Sequence, residues 1–246
     1  MEILQVNNLT KSFKGLAAVS ELHFGIAQGE VLGLMGPNGA GKTTVINLIT
    51  GFLKPDSGAI IWHNENIIGL KPHKIVRRGI ARTFQQARVF PNMSIFDNLI
   101  VSLNKSNRME LFSATDPKQK VLEILQFVSM RTKFSTLAKD LPQDELRRLE
   151  FARAIASDPE LMLLDEPVSG LTPEESDSIA DIITKLNQAG VTLVIIEHVM
   201  RMLMKVSHRL VVMSSGQKLS EGTPEEIRRN PLVEEAYLGK EEEDFA

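Results

Sequence analysis

The sequence contains no cysteine, so a disulfide bond and a thiolate metal site are both impossible. It has no continuous apolar run near the roughly 20 residues needed to cross a bilayer. Its first residues, MEILQVNNLTKSF, lack the basic region followed by an apolar stretch that marks a secretory signal. We therefore expect a soluble cytoplasmic protein.

An excess of positive charge is also missing. The 28 lysines and arginines are balanced by 31 aspartates and glutamates, which gives a net charge of -3. Non-specific binding to nucleic acid depends on clustered positive charge, so we predict no nucleic-acid partner. The 246 residues, 43% of them hydrophobic, suit a folded protein with a sizeable core.

Two kinds of strand pattern are present. Near the N-terminus Leu4 and Val6, and then Leu22, Phe24 and Ile26, alternate with less apolar neighbours, which predicts an antiparallel layer. Continuous apolar runs separated by helical patterns instead predict strands buried on both faces of a parallel sheet. These runs are EVLGLMG, ELMLLDE, VTLVIIE and HRLVVMS. The predicted fold class is therefore α/β.

Residues 86–160 interrupt this alternation, because they lack strand-like runs and favour helices. We interpret them as a helical lobe inserted into a single domain, whose core comprises residues 1–85 and 161–230. Residues 231–246 follow as a C-terminal tail. The tail closes on the acidic stretch KEEEDFA, which we expect to be solvated.

The stretch GPNGAGKT follows an apolar strand pattern and precedes an apolar helical run. It fits the phosphate-binding loop G-x-x-x-x-G-K-[ST], whose glycines let backbone N–H groups point at phosphate oxygens. Lys42 would bridge the outer phosphates, and the Thr43 hydroxyl would bind Mg²⁺. A glycine-rich turn without a ligand is the alternative. The predicted nucleotide-binding residues here are Gly36, Pro37, Asn38, Gly39, Ala40, Gly41, Lys42, Thr43 and Thr44.

Two adjacent carboxylates, Asp165 and Glu166, end the buried run LMLLDE. Successive side chains of a strand point to opposite sides, so the two acids cannot do the same job. We assign Asp165 to Mg²⁺, through water, and Glu166 to polarising the water that attacks the phosphate. A strand that ends at the surface in solvated acids is the alternative.

Two further polar residues are ambiguous when taken alone. His198 follows the run VTLVIIE and would lie at the sheet edge where parallel α/β folds bind ligands, yet a lone histidine is more often structural. Gln85, in RTFQQARVF, is by itself an ordinary loop residue.

The order of these motifs resembles the ATPase subunits of ATP-binding-cassette (ABC) transporters over nearly the whole chain. The matching stretches, after the phosphate loop, are RTFQ, LRRLEFARAI, LMLLDEPVSGLTPEE and VIIEH. The closing GTPEEIRRNPLVEEAYLGK, with GLAAVSELHF, is most similar to the subunits of branched-chain amino-acid importers. The resemblance implies a P-loop NTPase core with a mostly parallel sheet, an antiparallel β layer and an inserted helical lobe.

The same resemblance implies how the protein works. Two such domains clamp two ATP molecules head to tail, with Mg²⁺, so that catalysis belongs to a dimer. Gln85 is implied as a Mg²⁺ ligand, His198 as a contact of the γ-phosphate, and Phe13 as the aromatic ring against the adenine. Integral membrane permease subunits and, indirectly, an extracytoplasmic substrate-binding protein are the implied partners. The chain would then sit on the inner face of the cell membrane.

One segment departs from the family pattern. The family's signature turn reads roughly Leu-Ser-Gly-Gly-Gln, and its N–H groups meet the γ-phosphate of the partner's ATP. The corresponding residues here, which we call the altered turn, are Leu141, Pro142, Gln143, Asp144 and Glu145. Proline has no N–H, and two carboxylates in a first helical turn would oppose a phosphate. Alternatively, proline and acids simply make a good helix start.

We therefore expect the ATPase subunit of an importer for branched-chain or other amino acids, weak alone and paired with a second ABC ATPase that carries an intact signature. A heterodimer is favoured over a homodimer. The alternative is a regulatory nucleotide-binding subunit with little hydrolysis of its own. A family member acting in DNA repair or translation would carry a second cassette or a long coiled coil, and the sequence has neither pattern.

Overall fold

The computed structural model describes residues 1–85, 88–103, 112 and 116–238. The strands of this part of the chain are β1 (Glu2–Phe13), β2 (Leu16–Ala27), β3 (Val31–Met35), β4 (Ser57–Trp62), β5 (Glu65–Asn66), β6 (Ile80–Arg82), β7 (Leu161–Asp165), β8 (Thr192–Ile196), β9 (Arg209–Ser214) and β10 (Gln217–Gly222). Its α-helices are α1 (Lys42–Ile49), α2 (Pro72–Arg77), α3 (Ile95–Ile100), α4 (Pro117–Phe127), α5 (Gln143–Ala156), α6 (Pro173–Gln188), α7 (Met200–Val206), α8 (Pro224–Arg228) and α9 (Pro231–Leu238).

The N-terminal strands form the predicted antiparallel layer. Four strands pair in the order β2-β1-β4-β5, and Val6 of β1 lies opposite Phe24 of β2. Leu4, Val6, Leu22 and Ile26 are fully buried, because every second side chain of these strands turns toward the core. The prediction of an antiparallel layer is confirmed.

The second sheet has six strands in the order β10-β9-β3-β8-β7-β6, and only the pairing of β10 with β9 is antiparallel. Its central strands are buried on both faces. On β3, Leu32 and Leu34 pack toward the antiparallel layer, whereas Val31 and Met35 pack toward the helices on the other side. Continuous apolar runs are required for such strands. The predicted α/β fold is confirmed.

The described chain between β6 and β7 folds as α3, α4, a short 3₁₀ helix at Ala138–Asp140 and α5. Buried side chains from these helices, among them Leu99, Leu125 and Phe151, pack in the same cluster as the helix-side face of the large sheet. This stretch is helical as expected, and it continues directly into β7. Among the described residues, none of the helices combines the length and the apolar character of a membrane span.

The C-terminal region returns to the core. Thr172 and Thr223 each begin a helix with a capping box, in which the threonine hydroxyl accepts an N–H bond and a glutamate caps the threonine's own N–H. Residues 231–238 of the predicted tail form α9, and Val233 of this helix is buried. The rest of the tail, 239–246, lies outside the described residues.

Candidate functional site

The phosphate loop lies between β3 and α1, and its backbone depends on glycine. Gly36, Gly39 and Gly41 have φ angles of 148°, 84° and 100°. A Cβ atom on Gly41 would lie 2.2 Å from the carbonyl oxygen of Ala18, and one on Gly36 equally close to that of Met213. Left-handed φ angles and close backbone approach both favour glycine. The loop therefore curls into the N-terminus of α1, as a phosphate cradle requires.

Lys42 opens α1 and folds back over this loop. Its Nζ donates to the carbonyl oxygens of Gly36, at 2.5 Å, and Pro37, at 3.1 Å. The side chain is buried, which lowers the pKa of Lys42, while the nearby carboxylates of Glu166 and Asp165 act in the opposite direction. An ammonium group has three donors, so one of them is left for a phosphate oxygen.

Asp165 ends β7 and is held by an arginine that the sequence analysis did not single out. A guanidinium nitrogen of Arg82 donates to Asp165 Oδ2 at 2.8 Å, and the two side chains are only 8% and 5% exposed. Arg82 also donates to Asn47 of α1 at 2.6 Å. It therefore links the helix of the phosphate loop to the predicted Mg²⁺ carboxylate.

Sheet order is the signal that could have revealed Arg82. Strand β6 runs parallel to β7 and pairs Arg82 with Leu163, which brings its carboxyl end beside Asp165. The three residues of β6 are too short an apolar run to be distinguished as a strand in the sequence.

Glu166 adopts a backbone conformation that L-residues rarely use. Its φ angle is 48°, in the left-handed region, and its N–H donates to the carbonyl of Ile196 at 2.9 Å. The amide nitrogen of Gln85 donates to Glu166 Oε2 at 2.7 Å. Such backbone strain clusters at functional sites. The structure brings Gln85 and Glu166 together although they lie 81 positions apart in the sequence.

His198 and Phe13 lie on separate strand ends. His198 follows β8, and its side chain is 51% exposed. Phe13 closes β1, is 44% exposed, and has the ammonium of Lys11 5.6 Å from its ring centre. Because β3, β7 and β8 are parallel, the phosphate loop, Glu166 and His198 all follow the same edge of the large sheet. Ligands bind at this edge in parallel α/β folds.

The predicted metal ligands offer oxygen donors only. Thr43 supplies a hydroxyl, Gln85 an amide oxygen and Asp165 a carboxylate whose Oδ2 is already bonded by Arg82. Among the described residues there is no cluster of three or more His, Cys, Asp or Glu side chains of the kind that holds a metal without help. Mg²⁺ suits this set, because it is usually bound by one or two protein oxygens, by waters and by substrate phosphates.

The loop that carries Gln85 is fastened to α5. Arg147 donates to the carbonyl oxygens of Phe84, at 2.9 Å, and Gln85, while Glu150 accepts the Phe84 N–H at 2.7 Å. Burial raises the pKa of Glu150. Further along the same helix, Arg153 donates to the carbonyl of Arg88. Charged side chains on one face of α5 thus hold the backbone on both sides of Gln85.

The altered turn forms the start of α5 but does not present both acids to solvent. Glu145 is 3% exposed and accepts the N–H groups of Arg131 and Thr132 at 3.2 and 3.3 Å. Asp144 lies 3.9 Å from the buried guanidinium of Arg148. The expectation that both carboxylates would oppose a phosphate is wrong for Glu145, because the loop before the turn offers N–H groups that need an acceptor.

Comparison with known proteins gives matches over nearly the whole chain. A family model described as ABC transporter matches residues 19–169, and one described as Branched-chain amino acid ATP-binding cassette transporter matches 217–243. The high-affinity branched-chain amino acid transport ATP-binding protein BraF of Pseudomonas aeruginosa is 40% identical, over 97% of this chain and 98% of its own. The corresponding LivG protein of Escherichia coli K12 is 37% identical over the same shares.

Solved structures agree with this assignment. A nucleotide-free ATP-binding cassette from an ABC transporter superimposes with a TM-score of 0.86 and 31% identity, over 98% of this chain and 100% of its own. The ADP conformation of an ABC transporter cassette gives the same TM-score at 30% identity. A family model that covers more than half of the chain and these full-length relatives lead to one conclusion: the chain belongs to the ABC transporter family and is one of its ATPases.

Proposed function

We propose that this chain hydrolyses MgATP to power an importer of branched-chain amino acids. The observation that carries the proposal is the convergence of the phosphate loop, Glu166 and His198 on one edge of the parallel sheet. The cargo rests on two relatives named for branched-chain amino acid transport and on the family model at residues 217–243.

Each candidate residue has a role that its surroundings support. Lys42 brings a positive charge to the outer phosphates, and the N-terminus of α1 adds its dipole. Bound Mg²⁺ would neutralise charge on the phosphates, held by Thr43, Gln85 and, through water, Asp165. Arg82 fixes the orientation of the Asp165 carboxylate. Phe13 offers an exposed ring for the adenine.

Glu166 and His198 act directly in hydrolysis. The Glu166 carboxylate accepts a proton from the attacking water, and His198 contacts the γ-phosphate. The Gln85 amide donates to one Glu166 oxygen, so Gln85 orients the carboxylate. The left-handed backbone of Glu166 turns the chain away from β7 at this residue.

The membrane partner is proposed to dock beside Gln85, which would place the chain on the cytoplasmic face of the membrane. A pocket of about 260 Å³ opens there between the large sheet and α5. Its lining includes the side chains of Arg82, Phe84, Arg88 and Arg153. Arg88 is exposed, so its guanidinium group favours an acidic side chain on a permease subunit, and the exposed ring of Phe90 next to Arg153 adds apolar contact. The side chain of Arg82 is buried against Asp165, and Glu150 also lines the pocket. The substrate-binding protein would act only through the permease.

Cross-linking tests this docking site. Single cysteines replace the exposed residues Arg88 and Asn92, and a control cysteine replaces Lys185 on α6, which does not line the pocket. The chain has no native cysteine, so each cross-link has one origin. We expect the first two positions, and not the control, to cross-link to permease subunits in membranes. Cross-linking only from position 185 would contradict the proposal.

The cargo is tested by transport. The chain is co-purified with its permease subunits and their binding protein, and reconstituted in proteoliposomes. We expect ATP-dependent uptake of radiolabelled leucine, isoleucine and valine, and none with Glu166→Gln. A relative of 34% identity, the lipopolysaccharide export system ATP-binding protein LptB of E. coli K12, defines the contrasting outcome of a different cargo. Uptake of none of the three amino acids would reject the proposed cargo.

The altered turn argues against a homodimer with two equally active sites. Pro142 offers no N–H to a phosphate, and its neighbours have side chains where the family has glycine. We propose a heterodimer, in which a second ATPase subunit with an intact signature completes the site built on this chain's Lys42 and Glu166. The alternative, a regulatory subunit with little hydrolysis, requires that this completed site also be inactive. Single-turnover hydrolysis measured with the partner subunit present distinguishes the heterodimer from the regulatory subunit.

A further inference from the structure

The strands β7 and β8 lead into the two loops that flank the proposed reaction centre. Their parallel pairing ends with Asp165 opposite Ile196. One more backbone bond follows, from the N–H of Glu166 to the carbonyl of Ile196. Beyond that bond the chains separate, one toward Val168 and the segment 169–172, the other toward His198 and α7.

The side chain of Glu197 continues the connection where the backbone pairing stops. Its Oε1 accepts the N–H of Val168 at 3.0 Å. Its Oε2 accepts the N–H groups of His198 and Val199, at 3.0 and 3.3 Å. One carboxylate thus holds backbone groups of both loops, on opposite sides of the gap between the strand ends.

This carboxylate sits in an unfavourable place for a charge. Glu197 has no exposed surface, and burial raises its pKa although the three N–H groups and His198 act against that shift. None of the contacts described for Glu197 involves lysine or arginine. If the side chain at position 197 only filled this volume, the protein would be more stable with an uncharged residue there. The carboxylate is therefore better explained by what it holds.

We propose that Glu197 is a positioning residue that makes the loop after Glu166 and the loop of His198 move as one unit. The inference rests on the proposed roles of Glu166 and His198 in hydrolysis. Segment 169–172 follows Val168 directly in the chain, so a shift of that segment reaches Val168. Through Glu197 that shift also reaches the backbone of His198, which keeps the water-polarising and phosphate-contacting side chains in a constant mutual geometry.

Glu197→Gln tests the proposal, because it keeps the side-chain shape but replaces one accepting oxygen with a donor. At least one of the three backbone N–H groups then loses its acceptor. We expect single-turnover hydrolysis by excess full-length chain to slow roughly 10- to 100-fold, the range expected when a reacting group is misplaced by about 1 Å. The affinity for MgATP is expected to change less than threefold.

Hydrogen exchange gives a readout that does not depend on activity. We expect the amides of Val168, His198 and Val199 to exchange faster together in Glu197→Gln. Binding of MgATP is expected to protect both loops in the parent chain and only one of them in the variant. Glu197→Asp, which keeps the charge on a shorter side chain, is expected to be intermediate in rate and exchange, and it replaces the Gln variant if the latter does not fold.

Two further variants separate the possible failures. Asn187→Ala removes amide bonds to Gly29 and Val191 at the opposite end of the sheet, so it is expected to lower the unfolding temperature with turnover unchanged. If Glu166→Gln hydrolyses at the parent rate, the proposed role of Glu166 fails, whereas faster exchange at both loops still supports the coupling. Parent-like turnover in Glu197→Gln, or faster exchange confined to His198 and Val199, overturns the inference.

Discussion

The phosphate loop and the altered turn both begin a helix, and the resemblance to ABC ATPases assigns both to phosphate, but they are built in opposite ways. The phosphate loop uses glycines at φ angles of 84° and 100°, and its residues Asn38 and Gly39 are exposed. The altered turn has no glycine, begins α5 after Pro142, and directs Glu145 into the protein. The phosphate loop is shaped to bind phosphate through its backbone, whereas side chains occupy the corresponding place in the altered turn.

This difference changes the physical reason for expecting a weak site at the altered turn. The sequence predicts repulsion by the two acids in addition to the missing N–H of Pro142, yet Glu145 already accepts two backbone N–H groups and Asp144 lies near Arg148. The missing N–H of Pro142 and the bulk of Gln143, whose amide contacts the carbonyl of Ser169, remain as obstacles to a phosphate. Geometry is therefore a stronger argument for a heterodimer than charge.

The largest expected effect concerns Glu166 in the site built on the phosphate loop. In Glu166→Gln the side chain keeps its size but no longer accepts a proton, so turnover is expected to fall about 10²- to 10⁴-fold with MgATP affinity unchanged. Single-turnover hydrolysis and nucleotide titration measure the two quantities on the same preparation. Hydrolysis at the parent rate would mean that Glu166 is not the base.

Lys42 tests whether the phosphate loop binds nucleotide through its charge. Lys42→Ala removes the ammonium held by Gly36 and Pro37, and MgATP affinity is expected to fall roughly 10- to 100-fold, as for the loss of a charged hydrogen bond. Lys185→Ala, on the exposed side of α6, is the matched control and is expected to bind like the parent. Equal affinities in both variants would remove the phosphate-loop assignment.

Local patterns explain what the sequence made predictable. The phosphate loop and the buried strands each occupy fewer than ten consecutive residues, so their geometry follows from spacing and residue type. Arg82 and Glu150 could not be assigned in this way. Arg82 meets Asp165 at a separation of 83 positions, and Glu150 meets Phe84 at 66. Such contacts depend on strand order and on lobe placement, which no short pattern contains.

Glu145 shows a different limit of sequence reasoning. A glutamate in a first helical turn can face a ligand or satisfy its own fold, and residue type does not distinguish the two. The orientation of Glu145 is set by the N–H groups of Arg131 and Thr132, which lie 13 to 14 positions earlier in the chain. The two N–H groups satisfy a carboxylate that is only 3% exposed, which stabilises the inward orientation of Glu145.

Restoring the backbone of the altered turn is expected to have a smaller effect than either site mutation. The triple change Pro142→Ser, Gln143→Gly and Asp144→Gly returns one N–H group, at position 142, and space for a phosphate while Glu145 stays in place. Steady-state ATPase of the isolated chain is expected to rise about tenfold, equivalent to roughly 1.4 kcal/mol. Glu166→Gln in the same background is the control for contaminating activity. No gain, or a high rate before the change, would show that the altered turn is tolerated.

The smallest expected effect separates the two carboxylates of the turn. Glu145→Gln weakens acceptance of the Arg131 and Thr132 N–H groups, and is expected to lower the free energy of unfolding by about 1–3 kcal/mol without raising ATPase activity. Asp144→Asn loses only the 3.9 Å contact with Arg148 and is expected to change stability less. Urea denaturation of both variants measures the difference. Faster hydrolysis and unchanged stability in Glu145→Gln would instead mean that this carboxylate faces a phosphate when the subunits close, and the contrast between the two helix starts would again be one of charge.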